Sequence, residues 1–363
     1  MLQFDDRSGS PPDWVRQATV SKRASVRRFR KRALSVALGR TWQEEDNLSL
    51  SNTEVRYYDS TVLRLPADKR KEYHEQVDRL ISALTKRVHE QSDIKITKVV
   101  KAGSFAKYTI LRKTSEDSVD VDVVFYIAGR SVDKETLANL TRLIYDALIK
   151  LYPTKSVENF EIQRKAATVT FVGTGLSVDI VPVIEDKARL GYGWQFDIHD
   201  GTKVQTCAPC QIKFVTDRKD KDSDFRTLVR LAKKWRNRVE LKPLKSFTIE
   251  LIMAHVLAKN GKDGAIEKRF RDFLLYIAQS GLKEVVTFPE NGQVITQFSD
   301  PVVILDPVCN TNNVASRITE DERKEIVTAA QEAWETANFA SMEDDIEIWK
   351  ELFGPRFKVK EDA

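Results

Sequence analysis

Apolar positions first recur at helical spacing in ADKRKEYHEQVDRLISALTKRVHE, at Tyr73, Val77, Leu80, Ile81, Leu84 and Val88. A period near 3.6 predicts one long amphipathic helix there. Beyond it the pattern shortens to strand-type runs, IKITKVV, VDVDVVFYI, FEIQRKA, ATVTFV and LSVDIVPVI, rich in Val, Ile, Phe and Thr. SVDKETLANLTRLIYDALIKLYP interrupts them as a helix, with Ser131 placed to cap it, Asp133 and Glu135 in its first turn and Pro153 beyond its end. Gly173 to Gly175 reads as the hairpin turn between the last two strands. After residue 205, FRTLVRLAKKWRN, FTIELIMAHVLAKNG, AIEKRFRDFLLYIAQSG and TEDERKEIVTAAQEAWETA each carry one apolar stripe. The pattern predicts an α+β chain, a strand-rich lobe followed by a helical one. Residues 1–60 are expected to form a basic, partly ordered arm, 61–204 the strand-rich core, 205–357 the helical domain and 358–363 an exposed tail.

Composition narrows the class. With 363 residues, 41% hydrophobic and 31% charged, the chain suits one bilobed unit or two domains. No apolar run approaches the roughly 18 residues that span a bilayer, so no membrane span is expected. The N-terminus lacks an apolar signal core. Three cysteines without framework spacing point to a reducing compartment, and a cytoplasmic location is the expectation. The net charge of +5 is uneven: Lys22, Arg23, Arg27, Arg28, Arg30, Lys31 and Arg32 crowd one segment. Such a run suits phosphates, but its plainer reading is a solvated helix face.

The chemistry lies in the strands. Residues two apart on a strand share a face, so Asp120 and Asp122 project together while Val119, Val121 and Val123 point the other way. Neighbouring carboxylates on an apolar strand repel unless a cation sits between them. Asp179, between Val178 and Ile180, has the same setting. If its strand lies beside the first, three carboxylates converge, and with no nearby histidine or thiol they suit two Mg²⁺ or Mn²⁺ ions about 4 Å apart, the clamp for phosphoryl transfer. Ahead of them, Gly103 allows backbone to approach a phosphate, and Ser104 adds a hydroxyl where FAKYTIL opens a predicted helix. D-x-D alone also fits an edge strand with a solvent face. The ordered set of strand, Gly-Ser turn, helix, D-x-D strand, helix and lone-Asp strand is more specific.

In that order, from about residue 67 to 357, the chain resembles the nucleotidyltransferase superfamily that includes DNA polymerase beta. It is most similar to the branch of oligoadenylate synthase, cyclic GMP-AMP synthase and the bacterial CD-NTases of anti-phage (CBASS) signalling. AGSFAKYTILR looks like the family's Gly-Ser turn, with Lys107 and Tyr108 where a Gly-Thr pair is frequent and Thr109 as the hydroxyl donor. RTLVRLAKKWRN resembles the helix with a phosphate-contacting lysine, Lys234 as first choice and Lys233 second. LKSFTIELIMAHVL resembles the helix whose Ser-Tyr start touches triphosphate and base; here the pair is Ser246 and Phe247. PVVILDPVCNTNNVAS looks like the oligoadenylate synthase signature near the cleft, and Gln211 matches a glutamine of those enzymes. WKELFGPRF resembles the ending of bacterial members.

The resemblance implies a bilobed polymerase-beta-like fold with the active site between the lobes. It implies template-independent joining of ATP and other NTPs into a cyclic di- or trinucleotide second messenger, with Asp120, Asp122 and Asp179 holding the metals. A downstream effector would bind the product. Relatives are regulated by HORMA proteins or by conjugation through the carboxy-terminus; a bacterial member without a nucleic-acid activator fits best. Rival readings are a linear 2′-5′ oligoadenylate synthase, an RNA-end nucleotidyltransferase and an inactive RNA-binding relative. His199, Cys207 and Cys210 invite a zinc reading. Structural zinc takes four ligands and only three are local, so two partly buried thiols are expected instead.

Overall fold

In the computed structural model, which describes residues 49–114, 119–129, 134–199, 201–293 and 297–359, the strand-type runs pair into one mixed sheet. The basic segment 22–32, Ser131 and the tail from residue 360 lie outside the described residues. Strands β1 (Ile96–Lys101), β2 (Val119–Ile127), β3 (Phe160–Ile162), β4 (Ala167–Phe171) and β5 (Leu176–Glu185) stand in the order β1-β2-β5-β4-β3. β6 (Gly193–Phe196) and β7 (Lys203–Thr206) extend the sheet from β5. β2 and β5 run parallel, and their neighbours are antiparallel. A parallel pair needs a crossover, which a helix and the β3–β4 hairpin supply. β2 is therefore an interior strand, and the edge-strand reading of D-x-D does not hold.

The helices ahead of and within the sheet are α1 (Asn52–Tyr58), α2 (Ala67–Gln91), α3 (Gly103–Ala106) and α4 (Lys134–Leu151). Val119, Val121, Val123 and Phe125 of β2 and Leu176, Val178 and Ile180 of β5 point into one core, with Val77, Leu80 and Leu84 of α2 and Ile144 and Leu148 of α4. Each such side chain, fully buried, stabilises by about 1.5–3 kcal/mol. The strand period then sends Asp120, Asp122 and Asp179 to the opposite face, away from α2 and α4.

The helical lobe comprises α5 (Ala208–Lys221), α6 (Phe225–Arg238), α7 (Ser246–Asn260), α8 (Ile266–Ser280), α9 (Glu320–Glu343) and α10 (Ile346–Phe353), with a small hairpin of β8 (Leu305–Asp306) and β9 (Cys309–Asn313). They share a core around Trp235, Phe270, Phe273, Trp349 and Phe353. Thr319 and Glu322 close a capping box at the start of α9. Among the described residues no helix is long and apolar enough to cross a membrane.

Two expectations are corrected here. The predicted arm ends too late, because α1 and the π-turn Asp59–Leu63 that continues it bury Leu50, Val55, Tyr58, Val62 and Leu63 in the helical core. Their partners lie far along the chain, as in Leu50 N donating to Glu267 Oε2 at 2.6 Å and Ile266 N to Asn52 Oδ1 at 2.7 Å. A helix this short has no periodic signature of its own. The helix expected from FAKYTIL is likewise one turn, Gly103–Ala106, because Tyr108 takes a φ of 60° and leaves helical geometry.

Candidate active site

Asp122 and Asp179 stand in register across the parallel pair β2 and β5. Asp120, two residues earlier on the same face, pairs in register with Ser177. Asp122 and Asp179 are half-buried and Asp120 is exposed beside them. Burial first, then the negative charge of Asp179, pushes Asp122 up to about 6. Burial also raises Asp179, against the pull of Thr168 on β4, whose hydroxyl donates to Asp179 Oδ1 at 2.6 Å. Neither carboxylate has a cationic ion-pair partner among the described residues.

The Gly-Ser turn abuts this pair. Ala102 N donates to the carbonyl oxygen of Asp122 at 2.7 Å, pinning the start of α3 to β2. Gly103 has a φ of 60°, and a Cβ there would overlap Asp122 Oδ2. The glycine thus makes room for the carboxylate, a purpose beyond the phosphate approach expected of it. Ser104 is half-buried, and its carbonyl accepts from Thr109 N at 2.9 Å, which closes the turn.

The residues following the turn enter a buried cluster that sequence reasoning missed. Glu250 of α7, 1% exposed, accepts from Lys107 Nζ at 2.9 Å, Thr109 Oγ1 at 2.7 Å and Lys233 Nζ at 2.9 Å. Burial opposes its charge, but Lys107 and Lys233 outweigh burial and hold the carboxyl well below its usual range. The Thr109 hydroxyl is committed to this cluster, and Lys233 is held there too; Lys234 beside it is equally buried. Lys107 Nζ also lies 4.0 Å from the centre of the Phe247 ring. Ser246 opens α7 and accepts from Arg236 Nη2 at 3.4 Å. Gln211 Nε2 donates to Asp306 Oδ2 at 2.9 Å, joining α5 to the LDP segment. The signal for the cluster was a lone acid in the apolar run FTIELIMAHVL, which a buried helix tolerates only with cationic partners.

Tyr108, the other residue out of pattern, has its ring under the guanidinium of Arg70 at 4.0 Å and near Arg226 at 5.0 Å. Its carbonyl accepts from Arg230 Nη1 at 2.6 Å, while Arg230 also grips the buried Asp59 through Nε at 2.5 Å and Nη2 at 2.7 Å.

The zinc reading is corrected. Cys207 and Cys210 are joined as a disulfide with a Cα separation of 5.2 Å. Cys207 is the N-cap of α5 and its Sγ accepts from Cys210 N at 3.3 Å, so the first helical turn folds the two side chains together. Their sulfurs are bonded to each other, and the expected pair of thiols is replaced by the disulfide. His199 sits in the β6–β7 turn, its backbone N–H on Asp197 Oδ1 at 3.0 Å.

A divalent cation suits the carboxylate face. Burial raises the proton affinity of both carboxylates, with Asp179 adding to the shift of Asp122 and Asp120 to that of Asp179, and a set of oxygen donors alone fits Mg²⁺ or Mn²⁺. Among the described residues no group of three or more acidic, histidine or cysteine side chains is already gathered as a ligand set; Asp122 and Asp179 face one another in register and Asp120 is exposed beside them.

Facing carboxylates on parallel interior strands, a Gly-Ser turn against them and a helical second lobe define a nucleotidyltransferase of the polymerase-beta type. Residues 63–217 match the Second Messenger Oligonucleotide or Dinucleotide Synthetase (SMODS) domain. The chain is 70% identical over 316 residues to the CBASS oligonucleotide cyclase CdnC of Escherichia coli strain KTE188, covering 87% of this chain and 100% of that protein. It is 32% identical over 318 residues to the cyclic AMP-AMP-AMP synthase of E. coli strain MS 115-1, covering 84% and 97%. The solved structure of E. coli MS115-1 CdnC with ATP superposes with a TM-score of 0.72 at 31% identity, covering 85% and 99%. The CdnC:HORMA-deltaN complex gives 0.71 at 30%, with the same coverage. The chain belongs to the CBASS oligonucleotide cyclases, a family of nucleotidyltransferase enzymes.

Proposed function

We propose that this cyclase joins nucleoside triphosphates, ATP among them, into a cyclic di- or trinucleotide second messenger with release of pyrophosphate. The observation that carries this reading is the in-register pairing of Asp122 with Asp179 beside the Gly-Ser turn. A cyclic trinucleotide of adenosine is the product favoured, by similarity to the relative named cyclic AMP-AMP-AMP synthase. A HORMA protein is the partner favoured, since CdnC of E. coli MS115-1 is solved with one. The setting is anti-phage signalling in the cytoplasm.

Asp120, Asp122 and Asp179 would hold two Mg²⁺ or Mn²⁺ ions, which when bound neutralise phosphate charge and acidify the attacking ribose hydroxyl. Gly103 and Ser104 hold the triphosphate against that face, the serine through its hydroxyl. Thr168 fixes Asp179 Oδ1 and leaves Oδ2 for the ribose hydroxyl, whose proton passes to the carboxylate as its oxygen attacks the α-phosphorus. The bond to the β-phosphate breaks and pyrophosphate leaves. Phe247 offers a ring face to a base. Most of the acceleration comes from positioning and from charge stabilisation.

The test is incubation with all four NTPs and Mg²⁺ or Mn²⁺, phosphatase treatment, and identification of the resistant products by mass. A cyclic product is expected; linear oligomers trimmed by phosphatase would refute it.

A further inference from the structure

Lys107 is 4% exposed at the junction of the sheet and α7. An ammonium has three N–H donors. One donates to Glu250 Oε2 at 2.9 Å, and a second is spent on the face of Phe247, whose ring centre is 4.0 Å away. Lys233 differs, because it donates to Glu250 Oε1 and Thr109 Oγ1, both at 2.9 Å, and to Thr109 O at 3.3 Å. All three of its donors are satisfied. One buried carboxylate therefore stands between two buried ammoniums, and the unspent donor belongs to Lys107.

A buried cation with half a counterion is under-compensated, and an anion arriving beside it completes its coordination. Lys107 follows Ser104 by three residues, in the loop that leaves the Gly-Ser turn. Its charge reaches the carboxylate face, where it opposes the upward shift of Asp122, and it acts likewise on Asp306. Its backbone N–H donates to Gly103 O at 3.2 Å, so the residue borders the turn where a triphosphate bound at Gly103 and Ser104 would lie.

We propose that Lys107 is a further substrate-binding residue, its third N–H directed to a phosphate oxygen of the nucleoside triphosphate, and that Glu250 is the positioning residue that holds it there. This rests on the triphosphate reading above. Glu250 acts through Lys107, so its removal misplaces the ammonium and removes no contact to the nucleotide itself.

The test is equilibrium binding of the α,β-methylene analogue of ATP with Mg²⁺, which needs no turnover. Lys107→Gln leaves the Lys233–Glu250 pair intact and should weaken binding by about tenfold or more, the loss of one charged hydrogen bond. Lys107→Arg should stay within about threefold of the parent, because it restores charge and donors. Glu250→Gln should weaken binding in the same direction. Lys107→Gln with Glu250→Gln, which restores the net charge of the cluster, should bind no more weakly than Lys107→Gln alone. Lys107→Gln binding as the parent does, or single effects that multiply in the double variant, would overturn the proposal. Failure of the parent protein to bind the analogue would overturn the triphosphate reading itself, and this inference with it.

Discussion

The carboxylate of Asp122 fills the space where a side chain at Gly103 would stand. Gly103→Ala is therefore strained twice, by a left-handed φ and by displacement of the Asp122 Oδ2 oxygen. Product formation should fall by about 100-fold or more, the scale of a 1 Å misplacement in a site. The melting temperature should fall by only a few degrees, the scale of the ~1–2 kcal/mol cost of a left-handed alanine, and product mass spectrometry beside a thermal melt reads both. Undiminished synthesis by Gly103→Ala would separate the turn from the chemistry.

Burial of Asp122, with the charge of Asp179 beside it, gives a pH signature. Asp122 sits near 6 in the fold against 3.8 unperturbed, so the native state binds more protons than the unfolded chain between those values. Metal-free stability should then decline as pH rises from about 4 to 6 and stay lower above that. Mg²⁺ should raise the melting temperature at pH 7.5 and do so weakly at pH 5, where protonation competes with the ion. Asp122→Asn should stabilise the metal-free protein at pH 7.5 and blunt the response to Mg²⁺. A melting temperature indifferent to Mg²⁺ at both pH values would argue against the carboxylate site.

Thr168 offers a test of orientation without loss of a ligand. Thr168→Val keeps the shape of the side chain but releases Asp179 Oδ1. If the hydroxyl aims the base, kcat should fall about tenfold while KM for nucleotide holds. Loss of a hydrogen bond to the charged form also raises the proton affinity of Asp179, so the acidic limb of the rate profile should move to higher pH. An unchanged profile with unchanged kcat would leave Thr168 as a strand residue only.

Asp59 and Arg230 form a fully buried, two-pronged ion pair that also carries Tyr108. Burial opposes the charge of Asp59, yet Arg230 and Arg64 hold its carboxyl below the usual range. Asp59→Asn should cost about 3–5 kcal/mol, because it strands a buried guanidinium. Urea denaturation measures it, and a loss below about 1 kcal/mol would mean that Arg230 finds another partner or water.

Much of this was legible along the chain because strand and helix periods are local. Val119, Val121 and Val123 announced the buried face of β2, and so fixed the direction in which Asp120 and Asp122 point. GWQF and KVQT are too short and too polar to register as strands, though they become β6 and β7. Glu250 was visible as an acid among apolar neighbours, but Lys107 stands 143 residues before it, and no periodicity joins them. By ligand counting, the CAPC segment points to free thiols. Its pairing follows from where a helix cap lies, which depends on the helix start and not on cysteine spacing alone.

The packing of α1 orders events during biosynthesis. Tyr58 OH donates to Phe353 O across 295 residues, and Trp349 Nε1 donates to Ser49 Oγ at 2.9 Å. A ribosome delivers these partners last. The segment around Leu50, Val55 and Tyr58 must wait, unsatisfied, while the whole sheet is made and can already have folded. A nascent chain stopped before α8 leaves that apolar stretch without its partners, and one stopped before α10 still leaves its Trp349 and Phe353 side uncovered.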